Sequence, residues 1–178
     1  MLSVVPHVQA LHPQGAEPSV VAAVMPRLSA EPAVRAAAPF VTSPALLVRG
    51  DDVRSVIVRG VAPAQEVRVS SVVERFAAAF SRLEPGSRRV VIGVELARVL
   101  QLKAGDSVLV AGAPPTTGAT TRLPTLTRFE VAGVIDVGHH EYDSAMLWMH
   151  RDDATTLFGG GATAGVAMRL ADAQTAPA

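Results

Sequence analysis

The spacing of hydrophobic and polar positions changes every few residues along this chain. The sequence shows no internal repeats. Stretches in which apolar residues alternate or run together predict β-strands, and stretches with apolar residues every three to four positions predict helices. The predicted strands are residues 3–11, 39–49, 54–61, 90–92, 107–110, 128–135 and 164–170, with a further strand around Met146 and Trp148. The predicted helices are residues 17–29, 64–83, 94–100 and 151–158.

Turn residues separate these elements. Gly50-Asp51-Asp52 has the composition of a turn and predicts a β-hairpin from the two strands that flank it. Pro26 is expected to kink or end the first helix, because proline lacks the amide hydrogen that a helix interior needs. The glycines at 159–161 are expected to stop the last helix.

Composition removes several classes of function. The chain has 178 residues, 49% of them hydrophobic, which is enough to bury a core. Its 16 basic and 16 acidic residues give a net charge of +0, so no overall field favours nucleic acid or an anionic membrane surface. There is no cysteine, which excludes disulfides, thiolate metal ligands and cysteine nucleophiles. Neither a signal peptide nor an apolar run of about 18 residues is visible in the sequence.

Residues 113–127 form an unusually long connection between two predicted strands. The sequence APPTTGATTRLPTLT contains three prolines, one glycine and six threonines. One interpretation is a surface loop without a function of its own. The other is a protruding hairpin stiffened by Pro114, Pro115 and Pro124, which would lose little entropy on binding a partner. Arg122 and Arg128 would then place two positive charges on or beside it.

The stretch VGHHEYDS, residues 137–144, concentrates ionisable side chains. We expect it to be a connection between two strands or a continuation of one. In an extended chain His139 and Glu141 would point to one side and His140 to the other, so the two histidines could not share a metal. Nothing marks Glu141 or Asp143 as a buried general acid or base. The preferred interpretation is structural, with Asp143 and Ser144 capping or turning the backbone.

Other motifs for catalysis or cofactor binding are weak. Gly93 stands alone between a predicted strand and helix, without the further glycines or the Gly-Lys-Ser/Thr that a phosphate loop needs. Asp152 and Asp153 suit the first turn of their predicted helix. No catalytic residue, metal ligand or cofactor is therefore predicted.

Several segments, taken in order, resemble the periplasmic domain of the LolC/LolE permeases of the lipoprotein-releasing ABC transporter. They are VVIGVELARVLQLKAGDSVLV, the proline-bearing connection, FEVAGVIDVGHHEYDSAMLWMHRDDATTLF, VAMRL, and the earlier AVRAAAPFVTSPALLVRGDDVRSVIVRGVAP. The most specific parts are Ile92-Gly93 with Glu95-Leu96-Ala97, Gly105-Asp106, and Glu141-Tyr142-Asp143-Ser144 before an apolar strand. The wider superfamily includes MacB-type and FtsX-like permeases.

The resemblance implies an α+β fold of two lobes. A split α/β lobe would take residues 1–46 and 161–178, and a β-rich lobe carrying the hairpin at 113–127 would be inserted as residues 47–160. Family members continue beyond the position of residues 171–173 with a helix and a closing strand, so the second part of the split lobe is expected to be truncated here.

The resemblance also implies a non-catalytic docking function at the periplasmic face of the inner membrane. In the family, the LolC-type hairpin engages LolA, the soluble lipoprotein carrier, and a polar patch beside it completes the contact. The corresponding partner-binding residues here are Pro114, Pro115, Thr117, Gly118, Thr121, Arg122, Leu123, Pro124 and Arg128. The basic positions of the family's patch are not matched residue for residue at Leu126, Thr127 and Arg128.

The other expected partners are lipoprotein cargo, a separate ATPase subunit and a second permease subunit, with no nucleic acid.

Two alternative functions stay open. One is a MacB- or FtsX-like coupling module that binds a different periplasmic partner. The other is an independent enzyme that uses the HHEYD stretch.

Overall fold

One long strand, residues 34–49, belongs both to a closed ring of strands and to the rest of the β-sheet. A computed structural model of the chain describes residues 8–11, 18–112 and 125–171. The strands of that part are β1 (Val8–Leu11), β2 (Val34–Arg49), β3 (Asp52–Val61), β4 (Arg89–Gly93), β5 (Ser107–Gly112), β6 (Leu126–Ile135), β7 (Met146–His150) and β8 (Thr163–Leu170). The α-helices are α1 (Pro18–Ala30), α2 (Pro63–Glu66), α3 (Ser71–Arg75), α4 (Ala77–Phe80), α5 (Val94–Val99), α6 (His140–Ala145) and α7 (Arg151–Phe158).

Six of the strands close into a ring. The sheet order is β1-β8-β2-β3-β7-β4-β6-β5, and β5 pairs back onto β2. The strand β2, 16 residues long, can serve both regions because its first half pairs with β8 and its second half with β3 and β5. The pairs β3–β7 and β4–β6 are parallel, and the other pairs in the sheet are antiparallel.

The core follows from strand alternation. Each ring strand contributes inward-facing residues to one buried cluster, which includes Leu47, Val58, Ile92, Val110, Phe129 and Leu147. Helix α7 adds Ala154 and Phe158 to this cluster, and α5 adds Leu96. A second buried cluster joins the opposite strand faces to α3 and α4, where Phe80 meets Trp148 edge to face at 5.9 Å between ring centroids. Burial on both faces explains the continuous apolar runs of β4 and β7.

Most of the predicted local elements are confirmed. The hairpin β2–β3 turns at Gly50, β4, β6 and β8 match their predicted strands closely, and α7 spans the predicted residues 151–158. Helix α1 continues through Pro26 to Ala30, because Val21, Met25 and Leu28 hold one face against the sheet. None of the helices in the described ranges has the length and apolar character needed to cross a bilayer.

The predicted helix 64–83 is present as three short pieces rather than one. Ser70 interrupts it, because its hydroxyl caps α3 by accepting the Val73 amide hydrogen at 3.4 Å. Phe76 leaves helical geometry with φ −110° and ψ 30° and separates α3 from α4. The mixed helix and strand content confirms the α+β class, whereas the lobe boundaries at residues 46 and 160 stay a prediction.

Candidate functional site

The two strands that carry the predicted hairpin are firmly set in the ring. Ala111 of β5 pairs with Leu126 of β6, and Gly112 pairs with Ala45 of β2. The chain between these paired ends is residues 113–125, and its first twelve residues lie outside the described part. We call Ala111–Gly112 together with Thr125–Arg128 the hairpin root.

Eight of the nine predicted partner-binding residues lie outside the described residues. They are Pro114, Pro115, Thr117, Gly118, Thr121, Arg122, Leu123 and Pro124. The ninth, Arg128, lies in β6 opposite Leu109 and is exposed.

One side of the hairpin root faces α7. Gly112 leaves no room for a side chain there, because a Cβ atom would lie 2.9 Å from the Phe158 ring. Thr125 and Thr127 line a cavity of about 200 Å³ together with Thr156 and Leu157 of α7. The root therefore meets the helix through close packing at Gly112 and a small, threonine-lined cavity beside it.

The other side of the root is an exposed, partly apolar surface. Leu126 is 56% exposed, and Leu46 on β2, which pairs with Ala111, is 42% exposed. Ile57 on β3 is 47% exposed in the same outward-facing set of positions. Large apolar side chains on the outer wall of a closed ring are free to contact a partner.

The stretch that contains the predicted hairpin carries positive charge and no negative charge. The 23 residues from Ser107 to Phe129 contain no aspartate or glutamate, and their charged residues are Arg122 and Arg128. A carboxylate for either arginine must therefore come from another part of the chain or from a partner. Within the described residues, Arg128 makes no ion pair.

A further arginine that the sequence did not single out lies at the root. Arg88 precedes β4, which pairs in parallel with β6, and the Arg88 carbonyl accepts the Glu130 amide hydrogen at 2.9 Å. Its side chain is exposed and lines the same small cavity as Thr127. The parallel pairing and a hydrogen bond from the Arg88 amide to Asp153 of α7 bring residue 88 to the root, and no local pattern in the sequence signals either contact.

The stretch HHEYD connects β6 to β7, as predicted, but residues 140–145 form helix α6, so an extended conformation is wrong for them. The cause is Asp143, whose buried carboxylate accepts the amide hydrogens of Val137 at 2.9 Å, Gly138 at 3.1 Å and His139 at 3.2 Å. These three bonds wrap the chain around the side chain. The structural role predicted for Asp143 is confirmed, and Ser144 adds a bond from its hydroxyl to the Glu141 carbonyl at 3.2 Å.

No constellation for metal or acid–base chemistry is present in the part of the chain that the structure describes. No three histidine, aspartate or glutamate side chains come together there as metal ligands. His139 packs edge to face against Tyr142, and the Asp143 carboxylate is occupied by backbone amides. His150 is buried and caps α7, with Nδ1 accepting the Asp152 amide hydrogen at 3.1 Å.

A buried ion pair joins α2 to the ring. The Arg59 guanidinium donates to Glu66 Oε1 at 3.1 Å and lies over the Phe40 ring at 3.8 Å from its centroid. Glu66 Oε2 is buried and has no hydrogen-bond partner among the described residues. Burial raises the pKa of the Glu66 carboxyl, and the charge and hydrogen bond of Arg59 oppose that rise. The pair ties α2 to β3, and it lies away from the hairpin root.

A larger cleft of about 790 Å³ opens between α1 and α7. Its lining is mostly apolar and includes Val21, Met25 and Phe40. Arg151 and Asp152 at the start of α7 are the charged residues on its wall, and they pair with each other at 3.7 Å. The cleft can hold an apolar group, and it reaches Thr156, which also borders the cavity at the hairpin root.

Comparison with known proteins identifies the family. Residues 1–178 match the MacB-like periplasmic core domain family. The chain is 33% identical over 147 residues to the lipoprotein-releasing system transmembrane protein LolC of Neisseria meningitidis serogroup B, covering 82% of this chain and 35% of that protein. LolC of Xylella fastidiosa is 32% identical over 143 residues, covering 80% of this chain and 34% of that protein. The chain thus spans about a third of the length of these curated relatives.

Two solved structures share the fold. The extracellular domain of the noncanonic ABC-type transporter YknZ from Gram-positive bacteria matches 94% of this chain and 86% of its own, with a TM-score of 0.58 and 12% identity. The periplasmic region of MacB from Actinobacillus actinomycetemcomitans matches 92% of this chain and 74% of its own, with a TM-score of 0.54 and 12% identity. Together with the family match, these similarities confirm the resemblance drawn from the sequence.

Proposed function

Because the chain belongs to the MacB-like periplasmic core domain family, we propose that it is the periplasmic domain of an ABC-transporter permease subunit that releases lipoproteins from the inner membrane. In this function the domain docks a soluble, LolA-like lipoprotein carrier through the hairpin at residues 113–127. Lipoprotein cargo passes to the carrier, and a separate ATPase subunit and a second permease subunit complete the transporter. The domain itself is non-catalytic and lies at the periplasmic face of the inner membrane.

The observation that carries the proposal is the way the hairpin root is built. Both strands of the root belong to a closed ring, so a segment that leaves them starts from a rigid base. A rigid base lowers the ordering cost of binding, and the prolines at 114, 115 and 124 lower it further. The similarity to LolC proteins over about four-fifths of the chain supports the choice of a lipoprotein carrier as the partner.

The chemistry around the root supports a protein partner. Leu126, Leu46 and Ile57 offer exposed apolar area, and Arg122 and Arg128 are the charged residues in a stretch without any carboxylate. Apolar contact supplies affinity, and positive charge steers a partner with an acidic face and speeds its association. An acidic surface on the carrier next to its apolar opening would complement this arrangement.

A direct test replaces residues 114–124 by a short Gly-Ser turn and measures binding to the cognate periplasmic carrier by titration calorimetry. We expect the unaltered chain to bind and the replaced chain to lose binding while keeping its circular dichroism spectrum and unfolding midpoint. Equal binding by both chains would remove the hairpin from the contact. Absence of binding by the folded, unaltered chain would favour the alternative, a MacB- or FtsX-like coupling module with a different periplasmic partner.

A further inference from the structure

Arg88 holds a backbone conformation that is costly for its residue type. Within the described residues, two non-glycine residues have positive φ angles, Arg88 at 52° and Gln101 at 50°. This left-handed region is unfavourable for an L-residue with a side chain, whereas glycine adopts it readily. A side chain kept at such a position points to a use for that side chain.

The backbone on both sides of Arg88 is locked in place. The buried Asp153 carboxylate accepts the Gly86 amide hydrogen at 2.8 Å and the Arg88 amide hydrogen at 3.1 Å. The Arg88 carbonyl accepts from Glu130 of β6. Helix α7, the turn at 86–88 and β6 therefore fix the backbone of Arg88. A ligand that binds its side chain does not have to order this backbone, which lowers the entropy cost of binding.

The Arg88 guanidinium has no counter-ion among the described residues, although its neighbour does. Arg89 pairs with Glu130 at 3.7 Å, whereas the Arg88 guanidinium makes no ion pair or hydrogen bond within the described residues. No carboxylate occurs between residues 107 and 129 to neutralise it from the hairpin. The cavity that Arg88 lines beside the root is also bordered by Thr125, Thr127 and Thr156, and by Asp153, whose carboxylate accepts the Gly86 and Arg88 amide hydrogens.

An exposed guanidinium without an ion pair in the described part of the chain, on a backbone that is held in place, is suited to bind a carboxylate. We propose that Arg88 is a contact residue of the docking surface and binds an aspartate or glutamate on an acidic face of the carrier, beside the hairpin root. This inference rests on the proposed function. It adds a specificity-determining residue that lies 25 positions before the hairpin and reaches it only through the β4–β6 pairing.

The test uses glycine substitutions at the two positive-φ positions. Arg88→Gly removes the guanidinium and relieves the backbone, so we expect an unchanged or higher unfolding midpoint with carrier binding weakened by roughly threefold to tenfold. Gln101→Gly is the matched control, since it relieves the same backbone conformation near the end of β2, where the Gln101 carbonyl accepts from Arg49. It should leave carrier binding unchanged.

Arg88→Glu should weaken binding more than Arg88→Gly, and the difference should shrink as salt is raised.

A charge control and the unaltered chain separate the possible failures. Arg68 is exposed on the α2–α3 side, and Arg68→Glu should bind the carrier like the unaltered chain. If the unaltered chain binds and the hairpin replacement does not, but both Arg88 variants bind normally, the inference is wrong and the proposed function stands. If the folded, unaltered chain does not bind the carrier, both are wrong.

Discussion

Asp143 and Asp153 are buried carboxylates that bind backbone amides. Asp143 holds the turn at 137–139, and Asp153 holds the turn at 86–88. Burying a carboxylate is costly unless its lone pairs are satisfied, and here the amides satisfy them. At the scale of single residues, these acidic side chains are therefore structural, even where the sequence resembles a site for catalysis.

Alanine substitutions separate the structural and catalytic interpretations of HHEYD. Asp143→Ala removes the acceptor of the Val137 and His139 amides and one of two acceptors of the Gly138 amide, and we expect it to lower the free energy of unfolding by about 2–4 kcal/mol. His139→Ala and Glu141→Ala change exposed side chains and should stay within about 0.5 kcal/mol of the unaltered chain. Urea unfolding followed by fluorescence measures all three. A neutral Asp143→Ala would contradict the structural role.

Burial of Glu66 predicts the direction in which the free energy of unfolding changes with pH. Its pKa is raised above the ordinary value of 4.5 by burial, so the folded state holds this proton more tightly than the unfolded state. The stability that this proton contributes is present below pH 4.5 and is lost as pH rises through the folded-state pKa. Relative to Glu66→Gln, the unaltered chain should thus lose unfolding free energy as pH rises.

The Glu66 measurement compares unfolding free energies of the two chains across a pH series, which cancels the titration of the other carboxylates. A difference that stays constant would mean that the Arg59 charge cancels the effect of burial, and a difference that moves in favour of the unaltered chain as pH rises would mean that it outweighs burial.

At the scale of elements, α6 depends on a glycine in a neighbouring strand. A Cβ atom on Gly93 would overlap the backbone of Asp143, so the strand β4 can approach α6 only without a side chain at residue 93. Gly138, by contrast, has φ 84° but open space around it. The two positions separate the cost of steric overlap from the cost of backbone conformation.

We expect Gly93→Ala to lower the unfolding free energy by about 3 kcal/mol, through displacement of α6. Gly138→Ala should cost only about 1 kcal/mol, because the strain is confined to its own backbone. Equal costs at the two positions, measured by chemical unfolding, would show that α6 does not pack against Gly93 as closely as the structure has it.

Local elements were predictable from the sequence because their signals are local. Alternation in residues 39–61 with the turn at Gly50 predicted the β2–β3 hairpin, and Asp152 with Gly159 bounded α7. Helix α6 was missed because it is shaped by one side chain, Asp143, which closes three bonds on preceding amides. The parallel pairs β3–β7 and β4–β6 were missed because non-local pairing leaves no periodic signal.

The candidate site follows the same division. The prolines and arginines of the predicted hairpin are visible in the sequence, because the composition of residues 113–128 is a local signal. Arg88 could not, since its place beside Thr127 depends on the pairing of β4 with β6 and on Asp153 from α7. The sequence therefore predicted a hairpin at 113–127, and the fold added the surface at its root.

At the scale of the whole molecule, the proposed function makes the closed ring a rigid base for the segment at 113–124. Each ring strand is hydrogen-bonded to two neighbours, and β2 continues from the ring into the sheet with β8 and β1. The pairing is incomplete in two places, because residues 52–56 of β3 do not pair with β7 and residues 126–129 of β6 do not pair with β4. Outward-facing side chains and these short edges are therefore available to a partner.

The most direct test of the central claim, carrier docking by the hairpin, is site-specific photo-crosslinking in the membrane-embedded parent transporter. A photoreactive residue would replace Thr121 in the hairpin or, as a control, the exposed Val99 of α5. With the purified carrier present, we predict a crosslinked product at position 121 and none at position 99. A transporter that still releases lipoproteins but gives no carrier product at position 121, or gives equal product at both positions, would contradict the docking function proposed for the hairpin.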